Sequence, residues 1–153
     1  MDDLPLIGWR EWLALPEFAL PAVKAKIDTG ARSSSLHVVA LEVFEQDGKT
    51  WLRFAIAPRR RGGILVSCEA PAWDRRDVTD SGGRASSRWF VRTKVALGSA
   101  TFEAEINLTN RGDMLFPMLL GRTALRGRFR VDPRLSYTCG RPRVRKQPSG
   151  NAA

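Results

Sequence analysis

Short strand-forming runs, each closed by Gly, Pro or Asp, follow one another along most of the chain and leave space for only one short helix. The sharpest signal is Asp47-Gly48, set between alternating runs at residues 42–46 and 49–56. A two-residue type I′ turn needs φ > 0 at both central positions, which Asp-Gly tolerates, so the spacing predicts a β-hairpin. In its second arm Leu52, Phe54 and Ile56 alternate with Arg53 and Ala55, the period of a strand with one buried face. A second hairpin is predicted from residues 77–80 and 88–94, joined through Ser81-Gly82-Gly83. Further strands are predicted at 6–15, 22–27, 64–69, 101–109 and 129–131, and only 122–126 reads as helix. The expected class is all-β with one short helix near the C-terminus.

The 153 residues allow one domain with a modest core and are too few for two well-packed lobes. Residues 1–140 are read as that domain. Residues 141–153 hold Arg141, Arg143, Arg145 and Lys146 with no acid, and read as a disordered basic arm. The arm takes four of the 25 basic residues, so the rest carries 21 against 16 acids, and the net charge of +9 falls to +5. Part of that excess is Arg59-Arg60-Arg61 before Gly62-Gly63, a solvated loop by composition, with RNA, DNA or an acidic protein as the alternative contact. No apolar run approaches the roughly 20 residues of a membrane span, so no membrane partner is expected. The start, Met-Asp-Asp-Leu-Pro, is acidic and unlike a secretory signal, which makes the cytoplasm the expected location. In that reducing compartment Cys68 and Cys139 are expected to be free and buried.

The chemistry sits where Val23, Ala25 and Ile27 face one side of a strand, Lys24 and Lys26 face the other, and the strand runs into Asp28-Thr29-Gly30-Ala31. Asp followed by Thr or Ser and then Gly arises by chance in about one chain in ten of this size, so the tripeptide alone is weak. Asp80-Ser81-Gly82 matches it too, but it follows a polar run and precedes a second glycine, which marks a hairpin tip.

The surrounding pattern distinguishes Asp28. An apolar strand entering Asp-Thr-Gly-Ala, a glycine-bearing hairpin in mid-chain, and Leu119-Leu120-Gly121-Arg122 opening a short helix occur in the order found in retropepsins, and residues 20–128 resemble that family of single-lobed aspartic proteases. Gly8-Trp9-Arg10-Glu11-Trp12, residues 26–34, and Leu120–Leu125 with Val131-Asp132-Pro133 are similar to a bacterial branch whose members usually carry the name ATP-dependent zinc protease. Some members are encoded beside an ATP-grasp ligase that adds glutamates to a ribosomal protein.

The resemblance implies a catalytic carboxylate at Asp28, supported by Thr29, Gly30 and Ala31, and a mobile flap at Ser81, Gly82 and Gly83. It also implies a symmetric homodimer, because one chain supplies one usable aspartate and a two-fold axis makes it a pair. Two carboxylates about 4 Å apart repel by roughly 4 kcal/mol at an effective dielectric of 20, so the pair shares one proton. The ionised member then serves as general base on water and the protonated member as acid. Retropepsins commonly place acids after this loop, one of them paired with the arginine of the Gly-Arg motif. Here Arg32 and Ser33 stand there, so Arg122 needs another partner, with Asp113 and Asp132 as the candidates. Arg32 should favour an acidic peptide.

The zinc and ATP of the branch name find no counterpart in the motifs. His37 is the sole histidine, no His-Glu-x-x-His or paired Cys-x-x-Cys occurs, and no phosphate loop is present, so neither metal nor cofactor is expected. His37 reads as a surface or structural histidine. Ser33, Ser34 and Ser35 lack a defensible base, and Trp9 and Trp12 read as packing on the core or dimer. The leading expectation is a homodimeric aspartic peptidase acting on a glutamate-rich or ribosome-linked peptide. The alternative is a non-catalytic partner of the same fold that binds an ATP-grasp ligase, a ribosomal protein or RNA. A plain nucleic-acid binder ranks third.

Overall fold

The computed structural model describes residues 3–58, 63–110 and 115–142. The arginine run at 59–61, Asp113 and all but the first two residues of the basic arm lie outside them. The chain forms β1 (Leu6–Ile7), β2 (Arg10–Leu15), β3 (Leu20–Asp28), β4 (Ser34–His37), β5 (Ala40–Gln46), β6 (Lys49–Ile56) and β7 (Val66–Pro71). Then follow β8 (Asp74–Thr79), β9 (Ala85–Leu97), β10 (Ala100–Thr109), β11 (Met118–Gly121), α1 (Arg122–Leu125) and β12 (Arg130–Val131). The class is all-β, with α1 as the one short α-helix among the described residues.

Six strands close on themselves in the order β10, β4, β11, β3, β2, β9, because β9 also pairs with β10. The alternation of β3 places Val23, Ala25 and Ile27 inside this barrel, where Leu13, Leu36, Val91, Ile106, Met118 and Leu120 meet them. Lys24 and Lys26 stay outside. The sheet β5-β6-β7 adds Leu52, Phe54 and Ile56 to the same core, and Phe54 meets Phe18 edge to face at 5.3 Å between ring centres. The turn between β5 and β6 has the expected geometry, with Asp47 at φ 53° and Gly48 at φ 75°.

Strand β9 is longer than the sequence suggests. Its first part pairs with β8, and from Phe90 onward it pairs with β10, so the β8–β9 hairpin projects beyond the barrel. Most of its residues are exposed on both faces.

Several boundaries differ from expectation. The first predicted strand breaks at Gly8-Trp9 into β1 and β2, since β1 leaves the barrel to pair in parallel with β12. β7 starts at Val66, leaving Ile64 and Leu65 exposed, and a short 3₁₀ turn occupies Pro16–Phe18. β4 and β11 are not among the strands predicted from the sequence. Both cysteines are free, but only Cys68 is buried, and that burial pushes its thiol up to about 11. Cys139 is exposed because its segment runs over the surface, held from beneath by Glu11. The Glu11 carboxylate is itself fully buried and accepts hydrogen bonds from the backbone N–H groups of Gly8, Thr138 and Cys139 at 2.7, 3.0 and 3.1 Å.

Candidate active site

Asp28 ends β3, and its even-numbered position puts its side chain on the outer face with Lys24 and Lys26. The loop that follows is fixed at both ends. Asp28 Oδ1 accepts the Gly30 N–H at 3.0 Å, and the Ala31 N–H donates to the Asp28 carbonyl at 3.2 Å. On the far side, the Arg122 N–H donates to the Ala31 carbonyl at 2.7 Å, and the Thr123 hydroxyl to the Arg32 carbonyl at 2.9 Å.

The Leu119-Leu120-Gly121-Arg122 motif explains this fixing. Strand β11 lies between β3 and β4, with Gly121 opposite Asp28 in parallel register. The Gly121 N–H donates to Ser34 Oγ at 3.0 Å, and a Cβ at Gly121 would sit 2.5 Å from the Ser33 carbonyl oxygen. Glycine is required for that close approach. Arg122 turns back to donate from Nη1 to the Thr29 carbonyl at 3.1 Å. Of the two partners considered from sequence, Asp132 is held by Arg134 at 2.9 Å instead, and Asp113 lies outside the described residues.

The β8–β9 hairpin borders the same region. Asp28, Gly30, Ala31, Arg32, Ser33, Leu119 and Arg122 line one open groove of about 1040 Å³ together with Ser81 and the β8 strand. Thr29, Gly82, Gly83, Leu120 and Gly121 do not line it. The second Asp-Ser-Gly is the hairpin tip, as expected, where Asp80 Oδ1 accepts the N–H groups of Gly82 and Arg84 at 2.9 and 3.0 Å. Both aspartates thus cap the amide two residues on, and what separates them is place: one at a barrel strand end, one at a protruding tip.

Sequence reasoning missed Lys26, Arg76 and Arg88 as groove residues. Register supplies the missing signal, because Arg76 and Arg88 are cross-strand partners in the hairpin. Arg76 is committed to Asp74 at 2.7 Å and Glu105 at 2.8 Å, and its hydrogen bonds hold both carboxyls below their ordinary range. Arg88 donates to Asn107 Oδ1 at 3.1 Å, and Asn107, fully buried, donates in turn to the Ser34 carbonyl at 2.9 Å. Arg32 differs from these. It is exposed, no carboxylate among the described residues holds its guanidinium, and it stands between the groove and an adjoining cavity of about 320 Å³.

Ser34 and Ser35 are buried and serve the fold, and His37 is half-buried at the end of β4. Among the described residues no three His, Cys, Asp or Glu side chains converge, and the groove that holds Asp28 is lined by five cations and by no His or Cys, so the residues present do not fit a zinc site. No described helix is long and apolar enough to cross a membrane.

A family model described as retropepsin-like aspartic endopeptidase RimB matches residues 6–142. A protein named "Probable alpha-L-glutamate ligase" from Desulfotalea psychrophila is 38% identical over 148 residues, covering 96% of this chain and 32% of its own length. A protein of the same name from Shewanella pealeana is 38% identical over 140 residues, covering 91% of this chain and 31% of its own. The chain therefore spans about a third of the length of the curated relatives it matches. The crystal structure of Lpg0085 from Legionella pneumophila, a protein of unknown function, is similar with a TM-score of 0.73 and 33% identity, over 88% of this chain and 98% of that one. By the extent of the family match and the identity of these relatives, the chain belongs to the RimB-like family of retropepsin-like aspartic endopeptidases.

Proposed function

We propose that this protein is a homodimeric aspartic peptidase that hydrolyses an acidic, glutamate-rich or ribosome-linked peptide with the Asp28 carboxylates of two protomers. The observation that carries this reading is Asp28 at the end of β3, on a loop fixed by hydrogen bonds from α1, in a groove bordered by a protruding hairpin. In the reaction, the ionised Asp28 takes a proton from water as its oxygen attacks the peptide carbonyl carbon. The protonated Asp28 of the second protomer gives its proton to the carbonyl oxygen. Collapse of the resulting gem-diol breaks the C–N bond as the departing nitrogen takes a proton from the first carboxyl and a gem-diol hydroxyl returns its proton to the second carboxylate, which leaves a carboxylic acid, an amine and the starting pair.

Arg32 supports the acidic substrate, since an uncommitted guanidinium beside the catalytic loop can hold a carboxylate through two parallel hydrogen bonds. A second reading, a non-catalytic domain that serves a glutamate ligase, draws on the relatives' names and their greater length. Cleavage separates the two. Glutamate-rich and neutral peptides incubated with the purified protein from acid to neutral pH, and followed by mass spectrometry, should yield products from the acidic set. Arg32→Glu should lower kcat/KM on those peptides by about tenfold or more while the protein stays dimeric. Absence of products at every pH favours the second reading, and an unchanged acid preference in the variant removes Arg32 from recognition.

A further inference from the structure

Aromatic rings and cations gather over the outer face of β2 and β3, where Trp9, just before β2, and Tyr137 and Arg141 of the C-terminal segment join Arg10, Trp12 and Lys24. The Arg10 guanidinium lies 4.6 Å from the centre of the Trp9 ring and 4.9 Å from that of Tyr137. The Lys24 ammonium lies 5.3 Å from Trp12 and 5.9 Å from Tyr137, and Arg141 lies 4.6 Å from Trp12. These contacts hold three cations in place without neutralising any of them. Among the described residues no carboxylate pairs with Arg10, Lys24, Lys26 or Arg141, and the one acid in β2, Glu11, is buried on the inner face.

Two features tie this strip to the groove. Lys24, Lys26 and Asp28 occupy alternate positions on one face of β3, and Lys26 lines the groove that contains Asp28. Arg10 stands directly opposite Lys26 across the strand pair, as Trp12 stands opposite Lys24. Like charges placed directly opposite destabilise a sheet, and an anion lying across them relieves the repulsion. A strand rises about 3.3 Å per residue, so Lys24 lies about 13 Å from Asp28, within reach of about four extended residues of a bound chain.

We propose that this strip binds the acidic flank of a polypeptide whose cleaved bond lies over Asp28, so that it selects for the length and charge of the substrate outside the groove. The proposal rests on the peptidase reading for its orientation, and on the unpaired cations for its chemistry. Single-stranded nucleic acid is the lesser fit, because the rings on which bases would stack already carry the chain's own cations.

The experiment uses a short acidic peptide that fills the groove and the same peptide extended by about ten glutamates on its N- or its C-terminal side, enough to pass Lys24. Lys24→Glu with Arg141→Glu should raise KM for one extended peptide by about tenfold or more, leaving its kcat and both constants for the short peptide unchanged. The milder pair Lys24→Gln and Arg141→Gln should shift KM in the same direction, and it stands in if the reversed charges unfold the protein. Equal effects on short and extended peptides, or none on either, would overturn the proposal. So would tighter binding of single-stranded RNA than of the extended peptide, lost in the same variants. Binding of labelled peptides to Asp28→Asn protein reads the strip without turnover. If wild type cleaves nothing while the strip variants still release the extended peptide, the peptidase reading fails and the strip stands.

Discussion

Replacing Asp28 by asparagine is expected to lower peptide turnover by about a thousandfold or more and to leave the fold intact. Asparagine keeps the oxygen that accepts the Gly30 N–H, so the loop retains its shape and the melting temperature should move by no more than about 2 °C. What the amide lacks is the ability to take a proton from water. Steady-state cleavage and thermal unfolding of the same preparation separate the two effects. A variant that unfolds would make Asp28 a structural cap like Asp80, and one that retains full turnover would remove it from the chemistry.

Gly121→Ala is expected to have the largest effect on stability of any single methyl addition near the groove. The new Cβ would lie 2.5 Å from the Ser33 carbonyl oxygen and 2.9 Å from that of Ala31, both backbone atoms of the loop that follows Asp28. The Ala31 carbonyl accepts from Arg122, and the Arg32 carbonyl, next to Ser33, accepts from Thr123, so a shift of the loop away from the new Cβ strains the bonds that α1 makes to it. A loss of about 3 kcal/mol or more follows, equivalent to about 10 °C in melting temperature for a domain of this size. Gly82→Ala is the control. Its Cβ meets only Asp80 Oδ1 at 3.4 Å, so the hairpin should accept it with no measurable change in stability.

The two strands that went unread in the sequence are those that hold Gly121 in place. β4 and β11 have four residues each, and three of the four in each are buried, so neither shows the alternation that revealed β3 and β6. Ser34-Ser35-Leu36-His37 reads as a polar loop. It becomes a strand because β10 and β11 satisfy its backbone, while Asn107 and Gly121 bond to Ser34. Asp28 and the Gly-Arg motif were legible because a fixed local pattern carries them. The partner of Arg122 was not, since it is the Thr29 carbonyl, an acceptor any residue type could provide. The cation and ring strip was invisible for a different reason. Trp12, Lys24, Tyr137 and Arg141 are distant in sequence and meet only once β2 pairs with β3 and the Glu11 carboxylate draws the 138–139 segment against them.

The claim that two copies of Asp28 make one catalytic pair is tested most directly by mixing wild-type and Asp28→Asn protein at constant total concentration, after exchange of protomers. If each active unit needs both carboxylates, mixed dimers are inactive and turnover follows the square of the wild-type fraction, so an equal mixture retains about a quarter of full activity. Turnover that falls in direct proportion to the wild-type fraction, retaining about half at the same point, would mean that each protomer works alone and would contradict the paired-aspartate account.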